Sequence, residues 1–147
     1  MAIYYMNGNL LEARVNYICH QVNCQGKMGS GVARQIREKF PQVYESYMNS
    51  PMQLGDIQIV STDNNKNVIN MFAQEHYGYD GARYTSYDAF YSCLEKIKAN
   101  VPFGSTIGFP YKIGCVRGGA NWIVIKTMIE EVLQYHCTVV FYCYDGG

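Results

Sequence analysis

The sequence predicts an α/β fold, a three-layer α/β/α sandwich around a mostly parallel mixed sheet. Three observations predict it. Strand-like apolar runs alternate along the chain with segments of helical period. Two of those runs, Tyr17 to Val22 and Thr138 to Tyr142, are largely apolar throughout, the mark of strands buried on both faces. Two glycine-rich loops each lead from a strand into a helix start, the place where such sheets hold ligands.

The elements follow in order. Ile3 to Met6 reads as a short strand stopped by Asn7-Gly8-Asn9, and Tyr17 to Val22 as a buried one. The first glycine loop, Gln25 to Gly31, opens a helix with Ser30 as its cap and Val32, Ile36 and Phe40 as its stripe. Pro41 falls in that run; it either kinks the helix or opens a second one through Tyr47. Asp56 to Ser61 alternates as a strand, Asp63-Asn64-Asn65 turns, and Val68 to Phe72 returns. A polar loop, Gln74 to Thr85, holds Gly78, Gly81 and three tyrosines. A helix from about Ser86 to Ala99 buries Phe90, Leu94 and Ile97, with Thr85 and Asp88 spaced as a capping box. Thr106 to Phe109 is a strand that ends in the second glycine loop, Pro110 to Ala120. Asn121 caps a helix with the stripe Ile125, Met128, Ile129, Val132 and Leu133, and Thr138 to Tyr142 closes the sheet.

The 147 residues show no linker or repeat and predict one domain, 1–147. Twelve basic and 12 acidic side chains cancel, which argues against non-specific duplex DNA binding. No apolar run approaches the ~20 residues of a membrane span, so no membrane association is expected. Met1 to Tyr5 lacks the basic start of a signal peptide. Most of the six cysteines sit in apolar segments, as buried thiols of a reducing cytoplasm do. Without C-x-x-C spacing, and with three scattered histidines, no metal site and no cofactor are expected. The 14 tyrosines read as core residues with a wet hydroxyl more readily than as stacking platforms.

Glycine loops at helix N-termini let backbone N–H groups converge on an anion without charged side chains. Two such loops favour a pyrophosphate ligand over glycines that merely serve turns. A dinucleotide fingerprint, a P-loop and a serine nucleophile elbow are all missing. Cys115 reads as a small residue beneath its loop, since a thiol nucleophile needs a nearby base. His20 has two readings, a hydrogen-bonded core residue or one that orients Asn23 or a water. Asn23 and Gln25 likewise either contact a ribose or cap their own loop.

The run from His20 to Ala33 resembles the first ligand loop of macrodomains, in the ADP-ribose-1''-phosphate processing branch that includes the terminal ADP-ribose glycohydrolase type. The resemblance continues in Asn7 to Leu11, Leu54-Gly55-Asp56, Asn70 to Gln74, Pro110 to Cys115, Gly118-Gly119 and Trp122. It implies a pocket for ADP-ribose or a derivative, with ADP-ribosylated macromolecules as possible partners. Asn9, with Leu10, stands where the family places an acidic contact to adenine, and Tyr142 or Tyr144 packs on that base. Backbone groups of Gly29, Ser30, Gly31 and Val32, and of Ile113, Gly114, Cys115, Val116, Arg117 and Gly118, hold the phosphates. Pro110 opens the second loop. Asn23, with Gln25 beside it, faces the distal ribose.

By that resemblance, the lysine and aspartate of the glycohydrolase type read Gln74 and Gly118 here. Neither can act as nucleophile or base, so the expected reaction is phosphate removal from ADP-ribose 1''-phosphate. A water would be placed by His20, Asn23 or Gln74, with Arg117 adding charge. Deacylation and de-ADP-ribosylation are variants. The competing expectation is a non-catalytic reader of ADP-ribose, or a module that sequesters a nucleotide signal.

Overall fold

The computed structural model describes residues 2–62, 65–78 and 80–144. Its elements are β1 (Ile3–Asn7), a 3-10 turn (Leu10–Glu12), β2 (Tyr17–Asn23), α1 (Gly31–Lys39), α2 (Pro41–Met48), β3 (Ile57–Ser61), β4 (Asn67–Gln74), α3 (Tyr87–Asn100), β5 (Thr106–Pro110), α4 (Trp122–Leu133) and β6 (Thr138–Cys143). The six strands form one sheet in the order β1-β6-β5-β2-β4-β3. Neighbours run parallel except β3 and β4, which are antiparallel.

Strand alternation divides the core into the two predicted interfaces. On β2, Ile18 and Val22 pack under α1 and α2 with Ile36, Phe40, Val43 and Tyr47. Cys19 packs on the other face with Phe90, Leu94 and Ile97 of α3 and Ile125 and Ile129 of α4. This order puts β2 inside the sheet, between β5 and β4, with its carboxyl end and those of β4 and β5 side by side.

Pro41 opens a second helix. α1 stops at Lys39, Phe40 leaves helical geometry at φ −126°, and the proline ring takes the start of α2, where an N–H would lack a partner anyway. Ser30 stands at the N-cap of α1 without a side-chain cap bond. The capping box at Thr85 and Asp88 is corrected: Ser86 caps α3, accepting from the Ala89 N–H, and Thr85 turns to the second glycine loop. Met128 is only partly buried, while the other four stripe residues of α4 are buried.

The tyrosine expectation holds for part of the set: Tyr17, Tyr44, Tyr87, Tyr91 and Tyr142 are half-buried and packed against the core. Tyr47 alone among the described tyrosines is fully buried; the others are half-buried or exposed, Tyr4 and Tyr5 on the edge strand β1 among them. Asp63 and Asn64 of the expected turn lie outside the described residues, as does Tyr79 of the polar loop. Among the described residues there is no disulfide, and no helix is long and apolar enough to cross a membrane.

Candidate functional site: a cavity between two glycine loops

A cavity of about 610 Å³ lies at the carboxyl ends of β2, β4 and β5. Its base is His20 to Asn23 of β2 and Gln74 of β4. One wall is Gly29, Ser30, Gly31, Val32 and Ala33, where the first loop enters α1. The facing wall runs from Pro110 through Gly114 to Gly118, omitting Cys115, and Tyr77 and Gly78 close a third side.

Both loops meet the cavity through backbone. Gly31 has φ +60°, and an ideal Cβ there would find no atom within 4 Å. The start of α1 therefore presents first-turn N–H groups and a partial positive charge to the space. In the second loop Gly114 has φ +76°, and the turn is tied by bonds from the Ile113 N–H to the Pro110 carbonyl and the Ala120 N–H to the Gly114 carbonyl. Arg117 and Lys112 line this wall and add the charge an anion needs.

The side chain of Asn23 shapes the first loop. Its Oδ1 accepts from the N–H groups of Gln25 (3.0 Å) and Lys27 (3.3 Å) and from the Tyr47 hydroxyl (2.9 Å). Its Nδ2 donates to the Lys27 carbonyl. Of the two readings, loop capping is therefore what the geometry shows, although Asn23 also lines the cavity. Gln25 does not line it and bonds the Glu75 carbonyl.

Gln74 is held at both ends. Its Nε2 donates to the His76 carbonyl, and its Oε1 accepts from Gln21 Nε2, both at 2.7 Å. Gln21 Nε2 also donates to Thr85 Oγ1, which donates to the Gly114 carbonyl. Gly118 packs onto this clamp; a Cβ there would fall within 2.5 Å of the Gly114 carbonyl and inside contact of Thr85 Oγ1. Gln21 carries no role in the sequence reading, and Thr85 only that of a helix cap. The signal for Gln21 was polarity: with His20 it interrupts the apolar run of β2.

His20 is 1% exposed, with Nε2 bonded to Asn70 Oδ1 and Nδ1 buried without a partner. It is thus a hydrogen-bonded core residue, the first of its two readings, and it stands among the residues that line the cavity. Burial lowers its pKa to about 4, against a smaller opposing effect of the Asn70 bond, so the ring is neutral near pH 7. The linkage has a definite sign. Above pH 6.5 the ring is neutral folded or unfolded; as pH falls from 6.5 toward 4 the unfolded chain takes a proton that the fold refuses. The gap from 6.5 to about 4 corresponds to roughly 3 kcal/mol of stability lost over that window. Denaturant melts of wild type and His20→Gln from pH 7 to pH 4 should converge by about that amount; parallel curves would mean that the ring is not held neutral.

The thiols near the site are not activated. Cys115 donates to the Ile113 carbonyl, and burial raises its pKa, with Lys112 opposing. Cys24 is pushed up to about 11, mainly by burial and then by Glu75. Among the described residues no cluster of metal-binding side chains occurs.

Asn9 and Tyr142 lie apart from this cavity. They line a neighbouring groove of about 520 Å³ over β1 and β6, and Asn9 Oδ1 already accepts from the Leu11 N–H. Leu10 is buried in the core beneath them. Tyr144, beyond β6, is half-exposed and lines neither space.

Comparison with known proteins places the fold. The DNA ADP-ribosyl glycohydrolase of Mycobacterium tuberculosis is 26% identical over 154 residues, 99% of this chain but 43% of that protein. The chain thus spans less than half the length of that relative. An uncharacterized 17.5 kDa protein of bacteriophage T4 is 28% identical over 88% of this chain and 89% of its own. The solved macrodomain of Thermus aquaticus DarG superposes with a TM-score of 0.78 at 25% identity, covering 96% of this chain and 97% of that one. The Macro domain family matches residues 19–128, from the buried strand β2 through both glycine loops into α4, and the chain belongs to that family.

Proposed function

We propose that this protein binds ADP-ribose or a derivative and hydrolyses a group at its distal ribose, with ADP-ribose 1''-phosphate the preferred substrate. The observation that supports this most is the cavity itself. Two glycine loops and a helix N-terminus line opposite walls of one space, in the size range of small-molecule sites. In this reading the phosphates lie against Gly29–Val32 and Ile113–Gly118, and the distal ribose lies toward His20, Gln21 and Gln74. Adenine would extend toward the neighbouring groove lined by Asn9 and Tyr142.

The reaction adds water across one bond. The water oxygen bonds to phosphorus, the bond from phosphorus to the C1'' oxygen breaks, and phosphate and ADP-ribose leave. The water, placed by His20, Asn23 or Gln74, gives one proton to the departing C1'' oxygen, so no buried side chain has to take up charge. Loop N–H groups and Arg117 stabilise the charge gathering on the phosphoryl oxygens. ADP-ribosylated macromolecules are further ligands of the same pocket, and the buried thiols of Cys19, Cys93 and Cys137 favour a reducing cytoplasm. The names of the longer relatives put ADP-ribosylated DNA among the alternatives. The clamped Gln74 and the closely packed Gly118 favour a second reading, a binding module without turnover.

ADP-ribose at a hundredfold excess over Kd should stabilise the fold by about 2.7 kcal/mol, a rise of several degrees in melting temperature. An unmoved melting temperature at millimolar ligand would reject the pocket assignment. Phosphate release from ADP-ribose 1''-phosphate, measured beside calorimetric affinity for ADP-ribose, separates the enzyme from the module: tight binding without release selects the module.

A further inference from the structure

Gln58, Asn70 and His20 stand opposite one another in register on β3, β4 and β2. Their side chains form one hydrogen-bonded row across the sheet, on the face covered by α1 and α2. Gln58 Nε2 donates to the Ser46 carbonyl of α2 (2.8 Å), Asn70 Nδ2 donates to Gln58 Oε1 (3.0 Å), and Asn70 Oδ1 meets His20 Nε2 (2.5 Å). Asn70 is fully buried, and apolar Ile18, Val22, Val68 and Phe72 surround the row.

The direction of this row is fixed at its far end. A backbone carbonyl only accepts, so the amide end of Gln58 facing Ser46 is the NH2. Its oxygen then faces Asn70, which must turn its own NH2 toward Gln58 and its oxygen toward β2. A bond to that oxygen requires a proton on His20 Nε2. The remaining ring nitrogen, Nδ1, is a lone-pair acceptor, and it is the one atom of the row left without a partner. Buried polar atoms without partners are rare in native proteins. This one belongs to a residue that lines the cavity.

We propose that Asn70 and Gln58 are positioning residues that lock His20 in the Nε2–H tautomer, so that Nδ1, enclosed under the cavity floor, carries the lone pair that a ligand hydroxyl or the attacking water meets when it seats against His20. The tautomer lock stands on the row alone; the role of Nδ1 rests on the ADP-ribose reading. The lock also explains why a neutral imidazole suits this place. The wrong tautomer would move the ring's single N–H to Nδ1 and leave Asn70 Oδ1 facing a lone pair.

Two-bond ¹H–¹⁵N spectra of the ¹⁵N-histidine-labelled full chain read the tautomer directly. Wild type at pH 7 should show His20 Nε2 at a protonated shift and Nδ1 at an unprotonated one. The reverse assignment overturns the proposal, whatever the ligand. Gln58→Leu frees Asn70 to flip, and Asn70→Leu removes the acceptor; each should give a mixed or reversed tautomer, with Asn70→Ser as the milder variant if the leucine protein does not fold. An unchanged tautomer in folded variants overturns the lock. Saturating ADP-ribose should shift the wild-type Nδ1 resonance. If calorimetry shows binding and Nδ1 stays put, the acceptor role falls; if ADP-ribose does not bind at all, the ligand reading and that role fall together, while the unliganded spectrum still decides the lock. In wild type against Gln58→Leu, the role predicts at least a tenfold fall in kcat for ADP-ribose 1''-phosphate with KM little changed. A fall confined to KM would count against it.

Discussion

Gly31→Glu is expected to abolish ADP-ribose binding and to leave the domain folded. Gly31 sits at the first position of α1 with φ +60°, at the wall of the cavity, and a Cβ there enters open space. Nothing in the fold therefore has to move to admit a side chain. The glutamate occupies the place assigned to a phosphate and brings a negative charge to the helix end that would otherwise attract one. The left-handed backbone costs an L residue about 1 kcal/mol, or a few degrees in melting temperature for a chain of this length. The loss of affinity is expected to be at least a hundredfold, about 2.7 kcal/mol. Gly31→Ala carries the strain without the bulk or charge and should keep most of the binding. Calorimetry on both variants checks this, and undiminished affinity in Gly31→Glu would move the pocket elsewhere.

The layers of the fold were legible because apolar period decides which face of an element is buried. The stripe of α4 and the continuous runs of β2 and β6 emerge at their expected places. Local polar choices were less legible. Ser86 and Thr85 are adjacent and chemically alike, and only the second loop, which offers the Gly114 carbonyl to Thr85, determines which of them caps α3. Tyrosine burial depends on strand order, which sequence does not reveal; β1 lies at an edge, so Tyr4 and Tyr5 face outward. At the site, glycine positions and the strand-end location marked the two loops. The partners of His20 did not show, because Asn70 and Gln58 lie 50 and 38 residues away and meet it only through register.

Release of ADP-ribose from ADP-ribosylated carboxylates or bases should stay near background, even with intact binding. The lysine route needs an amine at the position of Gln74 and a carboxylate at that of Gly118. An amide has no basic lone pair near neutral pH, and glycine has no side chain. The structure adds that the missing groups are not simply replaceable. Gln74→Lys would lose the bond from Gln21 Nε2, since an ammonium cannot accept it. Gly118→Asp would drive its Cβ against the Gly114 carbonyl and Thr85 Oγ1, and overpacking of this kind costs about 1–3 kcal/mol. The double variant is therefore expected to melt several degrees lower and to gain no glycohydrolase activity, because the clamp that shapes the second loop is broken in making it. ADP-ribosylated carboxylate and base substrates in one set, and ADP-ribose 1''-phosphate in the other, test wild type and variant side by side. Efficient cleavage of the first set by wild type would refute the argument and point to another base in the cavity, with His20 and the neighbouring His76 the first to replace.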